Sequence, residues 1–169
     1  CNIVSFLFFF NVAATTVIYT LSLHDALPIS VQVDVNVPAL TMTPDSLASV
    51  GLFLINQDNP DDNCQFTLTR SEDAGSLSHG FDLMLDVNDN TAIEHGAPNA
   101  TTNAAVRYDW NSTNQTLRIE YDANGPIGGY RWILLRSAAL NSGNTNWGMN
   151  SSSSFAISTV GISANLTLA

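Results

Sequence analysis

From Val31 onward the chain alternates apolar and polar residues at a period of two, in short bursts separated by turn formers. Val31, Val33, Val35 and Val37 alternate with Gln32, Asp34 and Asn36, which describes a strand with one face buried. Val50 to Ile55 is continuously apolar, as a central strand covered on both faces requires. Cys64, Phe66 and Leu68 share one face, and so do Phe81, Leu83 and Leu85. Val106, Tyr108 and Trp110, then Leu117, Ile119 and Tyr121 across the polar stretch 111–115, predict a hairpin. Asn124-Gly125, Pro126 and Gly128-Gly129 make a dense turn signal, and Phe155, Ile157, Ile162, Ala164, Leu166 and Leu168 supply the last strands. No stripe at a period of 3.6 residues interrupts this series. The pattern predicts an all-β chain, an antiparallel two-sheet β-sandwich of roughly eight to ten strands.

The first thirty residues follow another logic. Ile3–Tyr19 carries no charge, yet it is short for a membrane span and lacks the basic start of a secretory signal. Thr20–Ser30 (TLSLHDALPIS) then breaks an apolar run with His24, Asp25 and Pro28 and no turn motif. Residues about 16–30 resemble the translation of a common short-read sequencing adapter. The expectation is therefore that 1–30 is read-through rather than selected protein, with a signal peptide as the alternative. Its apolar residues could be drawn as a helix without functional meaning. Residues 31–169 remain as one domain, a size that buries about two thirds of its unfolded surface.

Charge narrows the partners. Five Lys+Arg stand against 15 Asp+Glu, a net charge of −10, and all the basic residues are Arg. That balance argues against nucleic acid. Abundant Asn, Ser and Thr with no Lys lean towards an exported, extracellular or cell-surface domain with no native membrane span. Setting aside Cys1, Cys64 has no partner for an intramolecular disulfide, and its place on an apolar face makes it a small buried hydrophobe. Sequons at Asn99, Asn111, Asn114, Asn150 and Asn165 are expected by chance in such a chain.

The residues 48–70, 104–125 and 144–168, in that order, resemble the concanavalin A-like (laminin-G-like, L-type lectin) jelly-roll superfamily. The likeness is carried by Val106-Arg107-Tyr108-Asp109, by Gln115-Thr116-Leu117 and by Phe155 to Ser163. It implies a jelly-roll sandwich and a lectin-like, carbohydrate-binding role.

Catalysis has no positive support in the sequence. Of the three glutamates, Glu72, Glu94 and Glu120, none begins the E-x-D-x-x-E strand that places two carboxylates in one groove in retaining glucanases. No G-x-S-x-G occurs, and His79 and His95 fall in sequence that reads as loop. Two acidic loops remain: Asp58, Asp61 and Asp62 in one, Asp86, Asn88, Asp89 and Asn90 in the other. Calcium needs six to eight oxygens, and either loop could supply several. The competing reading is that Asp and Asn simply form turns. Trp147, with Asn144, Asn146 and Asn150 around it, joins an aromatic face to amide groups, the combination that sugar recognition uses. Tyr130 and Trp132 share a face and are the second aromatic candidate, although core packing is the safer expectation for Trp110 and Trp132. The leading expectation is a non-catalytic exported module binding carbohydrate or another surface ligand; the alternative is a structural or adhesive module of a larger surface protein or filament.

Overall fold

The computed structural model describes residues 2–7, 19–22, 29–37, 46–73, 76–87, 90–98, 103–139 and 154–164. Eleven strands form there: β1 (Asn2–Leu7), β2 (Tyr19–Ser22), β3 (Ile29–Asn36), β4 (Ser46–Asn56), β5 (Asn63–Asp73), β6 (Ser76–Val87), β7 (Asn90–Pro98), β8 (Asn103–Asn111), β9 (Thr116–Asp122), β10 (Ile133–Ala139) and β11 (Ser154–Ala164). One sheet has the order β1-β3-β8-β9-β10 and the other β2-β11-β4-β5-β6-β7. All pairings are antiparallel except β1 on β3. The expected two-sheet, jelly-roll-like β-sandwich is what forms, built from two meanders, β4 to β7 and β8 to β10.

Alternation decides which side of each strand meets the other sheet. Val31, Val33 and Val35 of β3, Val106, Tyr108 and Trp110 of β8 and Leu117, Ile119 and Tyr121 of β9 all point inwards and are buried. Opposite them lie Val50, Leu52 and Leu54 of β4, Cys64, Phe66 and Leu68 of β5, and Phe81, Leu83 and Leu85 of β6. Phe81 meets Tyr121 across the interface with ring centroids 4.4 Å apart. Burying each such side chain contributes about 1.5–3 kcal/mol relative to leaving it in water. The Tyr108 hydroxyl crosses between sheets and donates to the Cys64 carbonyl at 3.0 Å, so this buried polar group is satisfied. Burial pushes the Cys64 thiol up to about 12, which keeps it protonated and agrees with its reading as a small hydrophobe. Gly51 is required by packing: a Cβ there would sit 2.0 Å from the Phe66 carbonyl oxygen.

Three expectations are corrected. The N-terminal segment contributes strands, and no helix occurs among the described residues. Ile3, Val4 and Phe6 are β-branched or aromatic, and the edge of β3 offers them main-chain partners. His79 and His95 lie in β6 and β7 rather than in loops, because pairing with β5 and β6 overrides the turn-like composition around them. Trp110 is in the core as expected, but Trp132 is only half-buried and lies outside it.

Candidate ligand-binding site

The outer face of the β3-β8-β9 sheet carries the polar half of each alternation. Pairing aligns Gln32 with Arg107 and Arg107 with Glu120 in one row, and Asp34 with Ala105 and Ala105 with Asp122 in the next. Arg107 donates its Nε–H to Glu120 Oε2 at 2.7 Å, and Arg118 reaches Oε1 at 2.7 Å. Glu120 is only 2% exposed, and each of its two oxygens has a guanidinium partner.

Residues 123–132, between β9 and β10, fold back along this face as a strap. Asp122 closes it at both ends: Oδ1 accepts from the Asn124 N–H at 2.8 Å and Oδ2 from the Arg131 N–H. Gly125 turns the chain at φ +60 beside the Ala104 carbonyl, where a Cβ would be both strained and only 3.0 Å from that oxygen. The strap delivers Tyr130 and Trp132 to the polar face. Their rings stack at 5.1 Å with an interplanar angle of 12°, and the Arg107 guanidinium lies 4.1 Å from the Trp132 centroid. Tyr130 donates to the Asp34 carboxylate at 2.9 Å, and Gln32 hydrogen-bonds the same hydroxyl. Burial, then the neighbouring Asp34, pushes Tyr130 up to about 12. Burial also raises Asp34 above the usual carboxylate range; Tyr130 pulls it back and Asp122 adds to the rise. Tyr130 stays 38% exposed, an aromatic face fixed from behind and open in front.

Of the residues singled out in the sequence, Tyr130 is the one that takes part in this stack and hydrogen bond. Trp147, Asn144, Asn146 and Asn150 lie outside the described residues, as do Asn88 and Asp89. The two acidic loops come to the same end of one sheet, because β5 and β6 are neighbours and Asn63 pairs with Asp86, while Asn90 opens β7 opposite Val87. In the first loop the carboxylates serve the turn. Asp58 Oδ2 accepts from the Ser154 N–H at 3.1 Å, and Asp62 Oδ2 accepts from Asn59 at 2.8 Å. Asp61 is exposed, and Asp86 Oδ1 is shielded without a hydrogen bond. Among the described residues no group of three or more His, Cys, Asp or Glu is placed to hold a metal. Sequence reasoning missed Asp34, Arg107, Glu120 and Asp122. Their signal was present only as charge on the polar side of strands, which ordinarily marks a solvated surface.

No family model matches the chain, and no curated protein does. A solved structure described as a functionally unknown protein from Saccharomyces cerevisiae matches over 90% of this chain and 97% of its own, at 8% identity and a TM-score of 0.37. So loose a likeness carries no functional argument. The concanavalin A-like resemblance rests on its sequence motifs alone.

Proposed function

We propose that this domain is a non-catalytic, exported carbohydrate-binding β-sandwich whose site is the Tyr130 face. The observation that carries the reading is the Tyr130–Trp132 stack, braced by Asp34 and Arg107 on a sheet face rich in hydrogen-bonding groups. A fixed aromatic plane covers the C–H side of a pyranose ring, and nearby carboxylates and guanidinium groups hold its hydroxyls. Because stack and latch are already formed, little side-chain entropy remains to be lost on binding. The concanavalin A-like motifs and the lysine-free, acidic composition motivate a cell-surface glycan as the ligand class.

A glycan array followed by titration calorimetry tests this. Tyr130→Ala should abolish binding, while Tyr130→Phe, which keeps the ring, should weaken it only several-fold. Loss of binding in Trp147→Ala with Tyr130→Ala unaffected would move the site to the 144–150 segment. A folded wild-type domain that binds no glycan leaves the structural-module reading. That reading has its own support, since Ile133 and Leu134 on β10 and Ile93 on β7 are 48%, 47% and 60% exposed at sheet margins.

A further inference from the structure

Charge is spread unevenly over the Tyr130 face, and strand register sets where each sign falls. In one row Arg107 and Arg118 converge on Glu120, and Arg107 also covers the Trp132 ring, so these guanidinium groups are engaged within the fold. In the next row Asp34 and Asp122 flank Ala105 across the ladders. Asp122 is buried and directs its oxygens to the Asn124 and Arg131 N–H groups. Asp34 is half-buried, and the group that donates to it is a neutral phenol, that of Tyr130. The charge of Asp122 raises the proton affinity of both Asp34 and Tyr130, so the field at the hydroxyl edge of the Tyr130 ring is negative.

We infer that the Tyr130 face selects sugars that carry a protonated amino group, in preference to neutral, N-acetylated or acidic ones. The inference rests on the glycan reading of this face and narrows it. Tyr130 is 38% exposed, so its ring can take the C–H side of a pyranose. An equatorial amino group then projects from the edge of the sugar towards the hydroxyl end of Tyr130, where the Asp34 oxygens lie 2.9 Å from the phenol. There an ammonium donates charge-assisted hydrogen bonds to the half-buried carboxylate and offsets its repulsion with Asp122. The ring adds to the attraction, because a phenol that donates to a carboxylate is more electron-rich and its face draws a cation more strongly. A uronic acid or a sulfated sugar would meet the same two carboxylates as like charges, and an N-acetyl group would offer Asp34 only a neutral donor. The net charge of −10 favours the approach of a cation over that of an anion.

Calorimetry on the full chain, just below neutral pH so that the amines carry protons, should compare a short glucosamine oligosaccharide with its N-acetylated and its glucose counterparts of equal length. The amino form should bind about ten-fold more tightly than either. Asp34→Asn should bring the three affinities together. Asp73→Asn, which removes an exposed carboxylate from β5 in the other sheet, should leave the preference intact and so separates Asp34 from the general pull of an acidic protein on a cation. If Asp34→Asn does not fold, carbon NMR of the Asp34 carboxyl in the wild type provides the reading, and should shift with the amino ligand but not with the N-acetylated one. Equal affinities in the wild type, a preference that survives Asp34→Asn, or an Asp34 signal indifferent to the amino ligand overturns the inference while the glycan reading stands. A wild-type domain that binds none of these ligands and no other glycan overturns both.

Discussion

Tyr130 and Asp34 stand 96 residues apart in sequence, and the phenol donates to the carboxylate with both oxygens 2.9 Å away. This contact fastens the 123–132 strap to the sheet, and on top of burial, which raises both groups, it pushes Tyr130 further up and pulls Asp34 back. Tyr130 binds its proton more tightly in the fold than in the unfolded chain, so its stabilisation is complete below pH 10 and is lost between there and about 12. Asp34 works in the same direction at lower pH. Its raised folded value means that the ionised carboxylate costs stability at neutral pH, a cost relieved as pH falls through that value towards 3.8. Tyr130→Phe should remove a late-titrating phenol from the ultraviolet absorbance titration and lower the melting temperature by about 2–4 °C, the scale of ~1 kcal/mol. Asp34→Asn should flatten the acid-side gain. Unchanged titrations in both variants would mean that the latch does not persist in solution.

His79 should make the domain sensitive to mild acid. Burial and then Arg70, its cross-strand neighbour, lower its affinity for a proton, and Nε2 is shielded with no hydrogen-bond partner. The folded state therefore holds fewer protons than the unfolded one. Stability is complete above pH 6.5, declines as pH falls below it, and levels off once His79 is protonated in the fold. Urea midpoints measured from pH 8 to pH 5 should show this decline in the wild type and a shallower one in His79→Gln. Parallel profiles would assign the decline to other groups.

Calcium should leave the melting temperature unchanged to within about 2 °C, because Asp58 and Asp62 already direct oxygens to the Ser154 amide and to Asn59. Calorimetry with excess calcium and with chelator is the measurement. A saturable rise with calcium, as linkage requires for a ligand that binds only the folded state, would make the Asp58–Asp62 and Asp86–Asn90 loops a metal site.

A chain starting at Val31 should melt within about 2 °C of the full chain. β1 and β2 join the sheets at their margins, so removing them uncovers edges without dividing the β3-β8-β9-β10 or β11-β4-β5-β6-β7 ladders. A much less stable shorter chain would show that residues 1–30 belong to the fold.

Much of this domain is written locally. The alternation of Val31, Val33 and Val35, of Cys64, Phe66 and Leu68, and of Leu117, Ile119 and Tyr121 fixed both the strands and their inward faces, and each of these residues is buried. A strand's two faces follow from backbone geometry alone, so a short window of sequence is enough to read them. The tertiary structure decided which strands are neighbours, which ones are left as margins, and what lies over the polar faces. Main-chain hydrogen bonds are the same for every strand, so nothing in the sequence of β3 names β8 as its partner or places Asp34 in a row with Asp122. Tyr130 and Trp132 were visible as two aromatics on one face. Their direction was set by the strap that Asp122 closes, a contact between residues whose role appears only when the chain has folded back on itself.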